Sequence, residues 1–312
     1  MRLRLIAGIS FFIFLVSFAS PAFAQMAPFQ DENDIITPSF KYDIIRMKKI
    51  SSITIHVEEK PDGKRITDDG IMEYYRFDTA ARLAESFYTI KAGYETWDTI
   101  RSHFYYDKKN HLVTKRTDEG NYFDTWYYVW YDDGMLKKEA HVHESNAPGV
   151  GADFKIGTQK VISCDSFAYN VYPKQTQRYG YNEQNIVYEK VISQYDDNKR
   201  LTGRYSHYEV GWLYSQVDLK YDSANHLKEY TYSANLSGEI HKSTKLTYDK
   251  YGNMVVQKVF EGEKQIHQIE YLYDNNTGLI SNKLDRDYPK AVIGIIRFSY
   301  TFFDGDDSFY AR

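Results

Sequence analysis

Alternation between apolar and polar residues dominates the chain from about residue 50 onward. Within residues 215–221, Val217, Leu219 and Tyr221 occupy every second position, and residues 242–248 alternate in the same way. A period of two, rich in Tyr, Thr, Val and Ile, is typical of strands that have one buried face. The pattern therefore predicts a protein built mainly of β-strands.

A short motif separates the predicted strands: an aromatic residue, an aspartate, four loop-like residues, and an apolar residue six places after the aromatic one. Successive copies start 25 to 30 residues apart, except for one interval of 64, and the copy at Tyr131 is one residue shorter. An aspartate at the start of a turn accepts hydrogen bonds from backbone N–H groups just after it. We therefore predict that the aspartate of each copy organises a hairpin turn: Asp78, Asp107, Asp132, Asp196, Asp222, Asp249, Asp274 and Asp304.

Two further features support a hairpin at each copy. Asn110, Asn225 and Gly252 share the fourth position after the aromatic residue, where a left-handed backbone is tolerated. Residues 181–187 resemble the motif with Asn in place of Asp. Each repeat is long enough for two strands, so a second reversal is needed, for example at residues 209–211. The predicted fold is all-β: an elongated, twisted antiparallel β-meander with about two strands per repeat.

The Tyr-Asp pairs, the turn Asn or Gly, and the following Leu resemble the tyrosine–aspartate (YD) repeat family, whose members include Rhs toxin shells and teneurins. The resemblance covers about residues 70–312. With eight copies, it implies a strip of twisted sheet rather than a closed toxin container. The family brings no catalytic residues to this chain.

The first 24 residues form a separate segment. Two arginines precede an apolar stretch at residues 5–18, and an Ala-Phe-Ala triplet ends at Ala24. This order predicts a cleaved signal peptide and export by a Gram-negative bacterium to the periplasm or cell surface; an uncleaved membrane anchor is the alternative. After cleavage we expect no transmembrane segment, a lead-in at residues 25–48, and a β-repeat domain at residues 49–312.

Composition narrows the classes of function. The 312 residues include 30 Tyr, 18 Phe and 4 Trp but one Cys, and 39 basic against 43 acidic residues give a formal charge of −4. These values exclude a disordered chain, a disulfide framework and a basic nucleic-acid binder. Cys164 has no internal partner and is expected to be a small buried residue.

Candidate catalytic or metal-binding chemistry is sparse. His141 and His143 lie two residues apart on a predicted strand, followed by Glu144, so both imidazoles can face one ion if another strand supplies a third ligand. The alternative is two solvent-facing histidines. His111 and His226 precede the Leu of two motif copies and are expected to be turn residues. We expect no cofactor, because no phosphate loop and no nucleophile motif is present.

Aromatic crowding marks the candidate binding residues. Trp126, Tyr128 and Trp130 occupy alternate positions of one predicted strand, and rings on an uncovered sheet face can stack on sugars or on a protein partner. The alternative is that these rings are packed inside the fold. Residues 144–160, with three glycines and a proline, predict a long loop in which a site can reside.

These features favour an exported, non-enzymatic β-repeat scaffold of the bacterial cell envelope that binds a glycan or another envelope protein. One alternative is a glycan-processing enzyme with its site near the 144–160 loop. A structural surface component without a discrete site is the third possibility.

Overall fold

The computed structural model describes residue 26 and residues 40–91, 97–120, 122–147, 155–235 and 238–303. The predicted signal peptide, most of the lead-in and Asp304 lie outside the described residues. Within these ranges the elements are the helix α1 (Tyr42–Met47) and the strands β1 (Ile50–Pro61), β2 (Thr67–Phe77), β3 (Leu83–Lys91), β4 (Trp97–Tyr106), β5 (Leu112–Asp118), β6 (Tyr122–Trp130), β7 (Leu136–Asn146), β8 (Ile156–Tyr172), β9 (Gln175–Tyr181), β10 (Val187–Tyr195), β11 (Leu201–Tyr208), β12 (Leu213–Tyr221), β13 (Leu227–Ala234), β14 (Ile240–Tyr248), β15 (Met254–Glu261), β16 (Lys264–Tyr273), β17 (Ile280–Asp287) and β18 (Val292–Phe302).

The sheet is closed. Each strand pairs antiparallel with the next strand along the chain, and β1 also pairs with β18, so that Ile53 lies between Tyr75 and Tyr300. The all-β antiparallel prediction is confirmed, but the predicted elongated shape is wrong, because the 18 strands form a barrel. An open meander leaves unpaired backbone groups along its two edge strands, and closure removes both edges.

Hairpins alternate between the two ends of the barrel. Those that begin with a motif aspartate join an even-numbered strand to the next odd-numbered one, so they share one end, here called the motif end. The Asn182 copy joins β9 to β10 and lies at the opposite, far end. At the motif end, a tight turn after Tyr172 joins β8 to β9, which accounts for the 64-residue interval.

The Asp222 turn shows how the motif folds. The carboxylate Oδ1 of Asp222 accepts hydrogen bonds from the backbone N–H groups of Ala224 and His226 at 2.9 and 2.8 Å. Asn225 adopts a left-handed conformation with φ of 68°. Equivalent carboxylate contacts hold the turns of four other aspartates: Asp78, Asp107, Asp196 and Asp249. Asp274 makes similar contacts in a turn that is one residue longer.

Asp132 departs from this pattern. Trp130 ends β6 and occupies the position that the motif aromatic residue has in the other copies. The backbone N–H of Tyr131 donates the hydrogen bond that closes this turn, whereas in the other copies the aspartate N–H donates it. Asp133 Oδ1 accepts the backbone N–H two residues on, whereas Asp132 accepts a hydrogen bond from Lys109 of the neighbouring turn. The prediction that Asp132 organises its turn is wrong, because the turn begins one residue earlier than the Tyr-Asp pair indicates.

The barrel has a largely apolar inner face and a mainly polar outer face, on which single apolar side chains such as Val129 and Leu272 are exposed. Along β12, Val217 and Leu219 are buried, whereas Asp218 and Lys220 between and after them are exposed. On the outer face Lys220 lies 3.6 Å from Glu229 of β13. The buried apolar side chains of most strands form one cluster on the inner face, so the core lies inside the barrel.

Helix α1 packs against this core at the motif end. Ile45 is completely buried in the cluster, and Arg46 donates a hydrogen bond to the Ala80 carbonyl in the turn between β2 and β3. Burial lowers the pKa of Lys41, which precedes the helix. In the described ranges, no helix is long and apolar enough to cross a membrane.

A hydrogen bond ties each described motif hairpin to the even-numbered strand that follows it. The ladder shifts register beside the apolar residue that follows each turn, and the carbonyl of this residue accepts a bond from an aromatic side chain one repeat later. A tyrosine or tryptophan supplies both an apolar ring and a donor, which suits this position. The donors are Tyr106, Trp130, Tyr169, Tyr221, Tyr248, Tyr273 and Tyr300, at 2.6–2.9 Å from the carbonyls of Leu83, Leu112, Leu136, Leu201, Leu227, Met254 and Ile280.

Candidate functional site on the inner face of β6 and β7

Strand pairing brings together residues that the sequence presents as separate candidates. In the β6–β7 register, Trp126 lies opposite His141, and Asp124 lies opposite His143. Tyr122 follows the same alternation as Asp124 and Trp126, so all five side chains are on the inner face. We call Tyr122, Asp124, Trp126, His141 and His143 the inner cluster.

Ring stacking organises the inner cluster. The Trp126 and His141 rings are almost parallel, with centroids 4.4 Å apart and an angle of 2° between their planes. The Tyr122 and His143 rings lie 3.6 Å apart at 31°. Each imidazole therefore covers one face of an aromatic ring, which leaves less of that ring available to a ligand.

A single carboxylate oxygen connects the two histidines. Asp124 Oδ1 lies 3.3 Å from His141 Nε2 and 3.3 Å from His143 Nδ1. Asp124 Oδ1 and His141 Nε2 are buried atoms without a hydrogen bond of good geometry in the described part of the chain. The three side chains as a whole remain partly accessible. The Asp124 carboxylate therefore lies within contact distance of both imidazole rings.

The structure does not favour a metal ion at this place. Among the described residues, no group of three His, Cys, Asp or Glu side chains is arranged to hold one. A metal site at His141 and His143 therefore stays a prediction without support from the geometry.

Glu144, which follows the two histidines, faces the outer side of the wall. It accepts hydrogen bonds from Thr125, Tyr127 and Gln159 at 2.6–2.9 Å, and Arg116 lies 2.8 Å away. Burial opposes ionisation of Glu144, but these hydrogen bonds and the Arg116 charge outweigh it and hold the pKa of the carboxyl below its usual value. The side chain is fully covered by its neighbours, so it is a structural carboxylate.

The other two predicted binding residues pack within the wall. Tyr128 is buried, and burial raises its pKa. Trp130 donates its indole N–H to the Leu112 carbonyl, and the His111 ring stacks on it at 5.4 Å. His111 also lies 3.3 Å from Asp107 of its own turn. Trp126, Tyr128 and Trp130 therefore do not form an open platform, and ligand binding by these three rings stays a prediction.

The described residues at both ends of the region predicted to be a long loop, 144–160, are mostly strand. β7 continues to Asn146 and β8 begins at Ile156, while residues 148–154 lie outside the described residues. Cys164 in β8 lies opposite Ala140 and is half-buried rather than buried as predicted.

Sequence reasoning missed a set of charged side chains on the inner face. Arg178 binds Glu189 at 2.7 Å, and burial together with the charge of Asp165 raises the pKa of Glu139. Burial lowers the pKa of Lys283 on the same face. Glu189 had a signal in the sequence, because it lies between Val187 and Val191 in the strand alternation. The residues two places from Arg178, Glu139 and Lys283 are polar or glycine, so the alternation did not mark these three. The inner wall is therefore not uniformly apolar, and polar ligands have partners on it.

Comparison with known proteins finds similar structures but no matching sequence family. No family model and no curated protein matches the sequence. A porin-like protein from Bacteroides uniformis ATCC 8492 is similar in structure, with a TM-score of 0.39 and 11% identity over 81% of this chain and 98% of that chain. A porin-like protein from Bacteroides vulgatus ATCC 8482 has a TM-score of 0.29 and 10% identity over 69% and 97%. A LolA superfamily protein from Nitrosomonas europaea has a TM-score of 0.21 and 8% identity over 87% and 94%. These values are too low to decide the fold or function of this chain.

Proposed function

We propose that this chain is an exported, non-enzymatic binding barrel of the Gram-negative cell envelope, and that its outer wall faces water rather than lipid. Export rests on the predicted signal peptide. The ligand class is a glycan or an envelope protein, and the proposal does not depend on membrane insertion.

The polarity of the wall carries this proposal. Ion pairs lie on the outer face of the sheet, between strands: Arg76 is 2.9 Å from Glu85, and Arg297 is 3.0 Å from Glu58. A barrel that spans a membrane has the opposite arrangement, with an apolar outer band, and charges at its lipid face are costly. The outer face would contact lipid if the barrel spanned a membrane, and its ion pairs are instead suited to contact with water.

A binding role is supported by the inner wall. The inner cluster combines aromatic, imidazole and carboxylate groups that are partly accessible, and the described residues place ionic side chains such as Arg178 and Glu189 on the same face. Binding sites typically combine apolar surface with a few polar groups that orient the ligand.

Cell fractionation tests the location and the wall polarity together. The full chain, with its own signal, is produced in a Gram-negative host and released by osmotic shock. We expect a processed protein in the soluble fraction that stays monodisperse without detergent and gives no conductance in planar bilayers. Recovery only from detergent-extracted outer membranes, or channel conductance, would overturn the proposal. Incubation with envelope glycans then tests the non-enzymatic part, since product formation would contradict it.

A further inference from the structure

An aromatic group on the outer face has no role in the core. Tyr205 and His207 of β11, Tyr214 of β12, and Trp212 in the hairpin between these strands lie at the far end of the barrel. We call these four residues the outer shelf. His207 pairs directly with Tyr214, and Tyr205 pairs with Gln216, so the strand residues of the shelf point to the same side.

The rings of the outer shelf have two orientations. The Tyr205 ring is nearly parallel to those of Tyr214 and His207, with centroids 6.2 and 6.4 Å away. Trp212 stands at 71° to His207, 6.1 Å away. Trp212 is 82% exposed and Tyr205 is 37% exposed, so these rings contribute little to folding.

The backbone of Trp212 is held in a costly conformation. Its φ of 55° is in the left-handed region, which bulky residues rarely occupy. Asn235, on the neighbouring hairpin, fixes this geometry: its amide donates to the Trp212 carbonyl, and its Oδ1 accepts the Tyr214 N–H at 2.7 Å. A strained backbone that presents a solvent-exposed indole points to a use for the ring outside the fold.

We propose that the outer shelf binds a neutral saccharide, whose C–H faces stack on Trp212 and the tyrosines. The negative face of an aromatic ring attracts the weakly positive C–H groups of a pyranose. Hydroxyl groups of the sugar have polar partners beside the rings, since Glu209 is exposed at 4.0 Å from His207 and Gln216 lies on the same face. This inference rests on the proposed export of the chain to a glycan-containing compartment.

The surroundings of the outer shelf favour a sugar over a membrane. The two flanking far-end hairpins carry Glu183 and Glu239, and the next far-end hairpin along the chain carries Glu261 and Glu263. An anionic lipid surface repels carboxylates. A neutral sugar is not repelled, and it needs only a few rings and hydrogen-bonding groups.

Binding of soluble glycans tests the outer shelf. The mature full-length protein is titrated by calorimetry with laminarin, xylan, mannan and cellohexaose, with anionic lipid vesicles as a separate arm. We expect at least one of the four glycans to bind and the vesicles not to bind. Trp212→Asn suits the left-handed turn and keeps the fold, and we expect it to weaken glycan binding at least tenfold. Tyr214→Ser should weaken it as well.

A matched control removes an exposed aromatic residue elsewhere. Tyr251 is exposed in a motif-end turn, and Tyr251→Ser should leave glycan affinity unchanged. The proposal is overturned if none of the four glycans binds, if Trp212→Asn binds as tightly as the parent, or if vesicles bind through Trp212. The glycan titration does not depend on the result of the fractionation. A soluble, non-conducting protein that binds none of the four glycans would therefore contradict saccharide binding by the outer shelf without contradicting the proposed envelope function.

Discussion

The phenolic hydroxyl of Tyr248 donates a 2.7 Å hydrogen bond to the carbonyl of Leu227, 21 residues earlier in the chain. Leu227 begins β13 beside a register shift in the β12–β13 ladder, and Tyr248 ends β14. The bond therefore joins successive motif hairpins where the backbone ladder is irregular. The same ring stacks on His226 at 4.7 Å, so one side chain serves both the polar and the apolar contact.

Tyr248→Phe keeps the ring and removes the donor. We expect the free energy of unfolding to fall by about 1–2 kcal/mol, because the Leu227 carbonyl loses its partner at a partly buried site. Urea unfolding measures the change. Tyr251→Phe, on an exposed ring, is the control and should be nearly neutral; equal effects would mean that the Tyr248 bond contributes no net stability.

Two aspartates with the same sequence motif should differ in their effect. Asp222→Ala removes a carboxylate that accepts two backbone N–H groups, and we expect a loss of about 1–3 kcal/mol. Asp132→Ala removes an exposed carboxylate whose partner is Lys109, so the unfolding midpoint should hardly move. Thermal unfolding compares them, and similar losses would contradict the one-residue shift of the Asp132 turn.

Glu144 should make stability depend on acid pH. Its folded-state pKa is lowered by its hydrogen bonds and by Arg116 against the opposing effect of burial. Its contribution is therefore complete above the unfolded-state pKa of about 4.3 and is lost as the pH falls through the folded-state value. Glu144→Gln should destabilise the protein by about 1–3 kcal/mol at neutral pH, because Arg116 loses its carboxylate.

The pH profile checks the Glu144 prediction. Urea unfolding of Glu144→Gln and the parent at several pH values should show the largest difference near neutrality, and the difference should shrink as the pH falls below the unfolded-state pKa of about 4.3. A constant difference would mean that the Glu144 charge contributes nothing, and that only the lost hydrogen bonds matter.

Contacts between adjacent turns can be tested with two glycines. Gly252 and Gly262 both have positive φ, 82° and 59°, so an alanine is strained at either place by about 1 kcal/mol. A methyl group at Gly252 would also lie 3.0 Å from His226 Nε2 of the adjacent turn, whereas nothing lies within 4 Å at Gly262. Gly252→Ala should therefore destabilise the fold more than Gly262→Ala, as measured by thermal unfolding.

Local features of the fold could be predicted because they depend on neighbours in sequence. The alternation of Val217, Leu219 and Tyr221 gives the buried face of β12, and the Asp222 turn follows from the chemistry of one carboxylate. The turn at Asp132 was predicted one residue too late, because Tyr131 fits the aromatic position of the motif as well as Trp130 does. Only the pairing of Trp130 reveals which residue ends the strand.

Features that depend on distant pairing had no sequence signal of their own. Closure requires Ile55 to meet Phe298, more than two hundred residues apart, and an ordinary strand pattern serves equally for an open or closed sheet. The Trp126–His141 stack likewise depends on the register shift between Val129 and Trp130. The outer shelf was not predicted, because the sequence around its four residues indicates only another hairpin between two strands.

Closure by β1 and β18 has a consequence for biogenesis. During folding, β1 keeps an unsatisfied edge until β18, more than 200 residues later in the chain, pairs with it. Until then, the exposed edge can recruit a strand from another molecule. A chaperone that shields newly made strands would therefore improve the yield of the folded protein, and loss of β18 would leave β1 as a nucleus for aggregation.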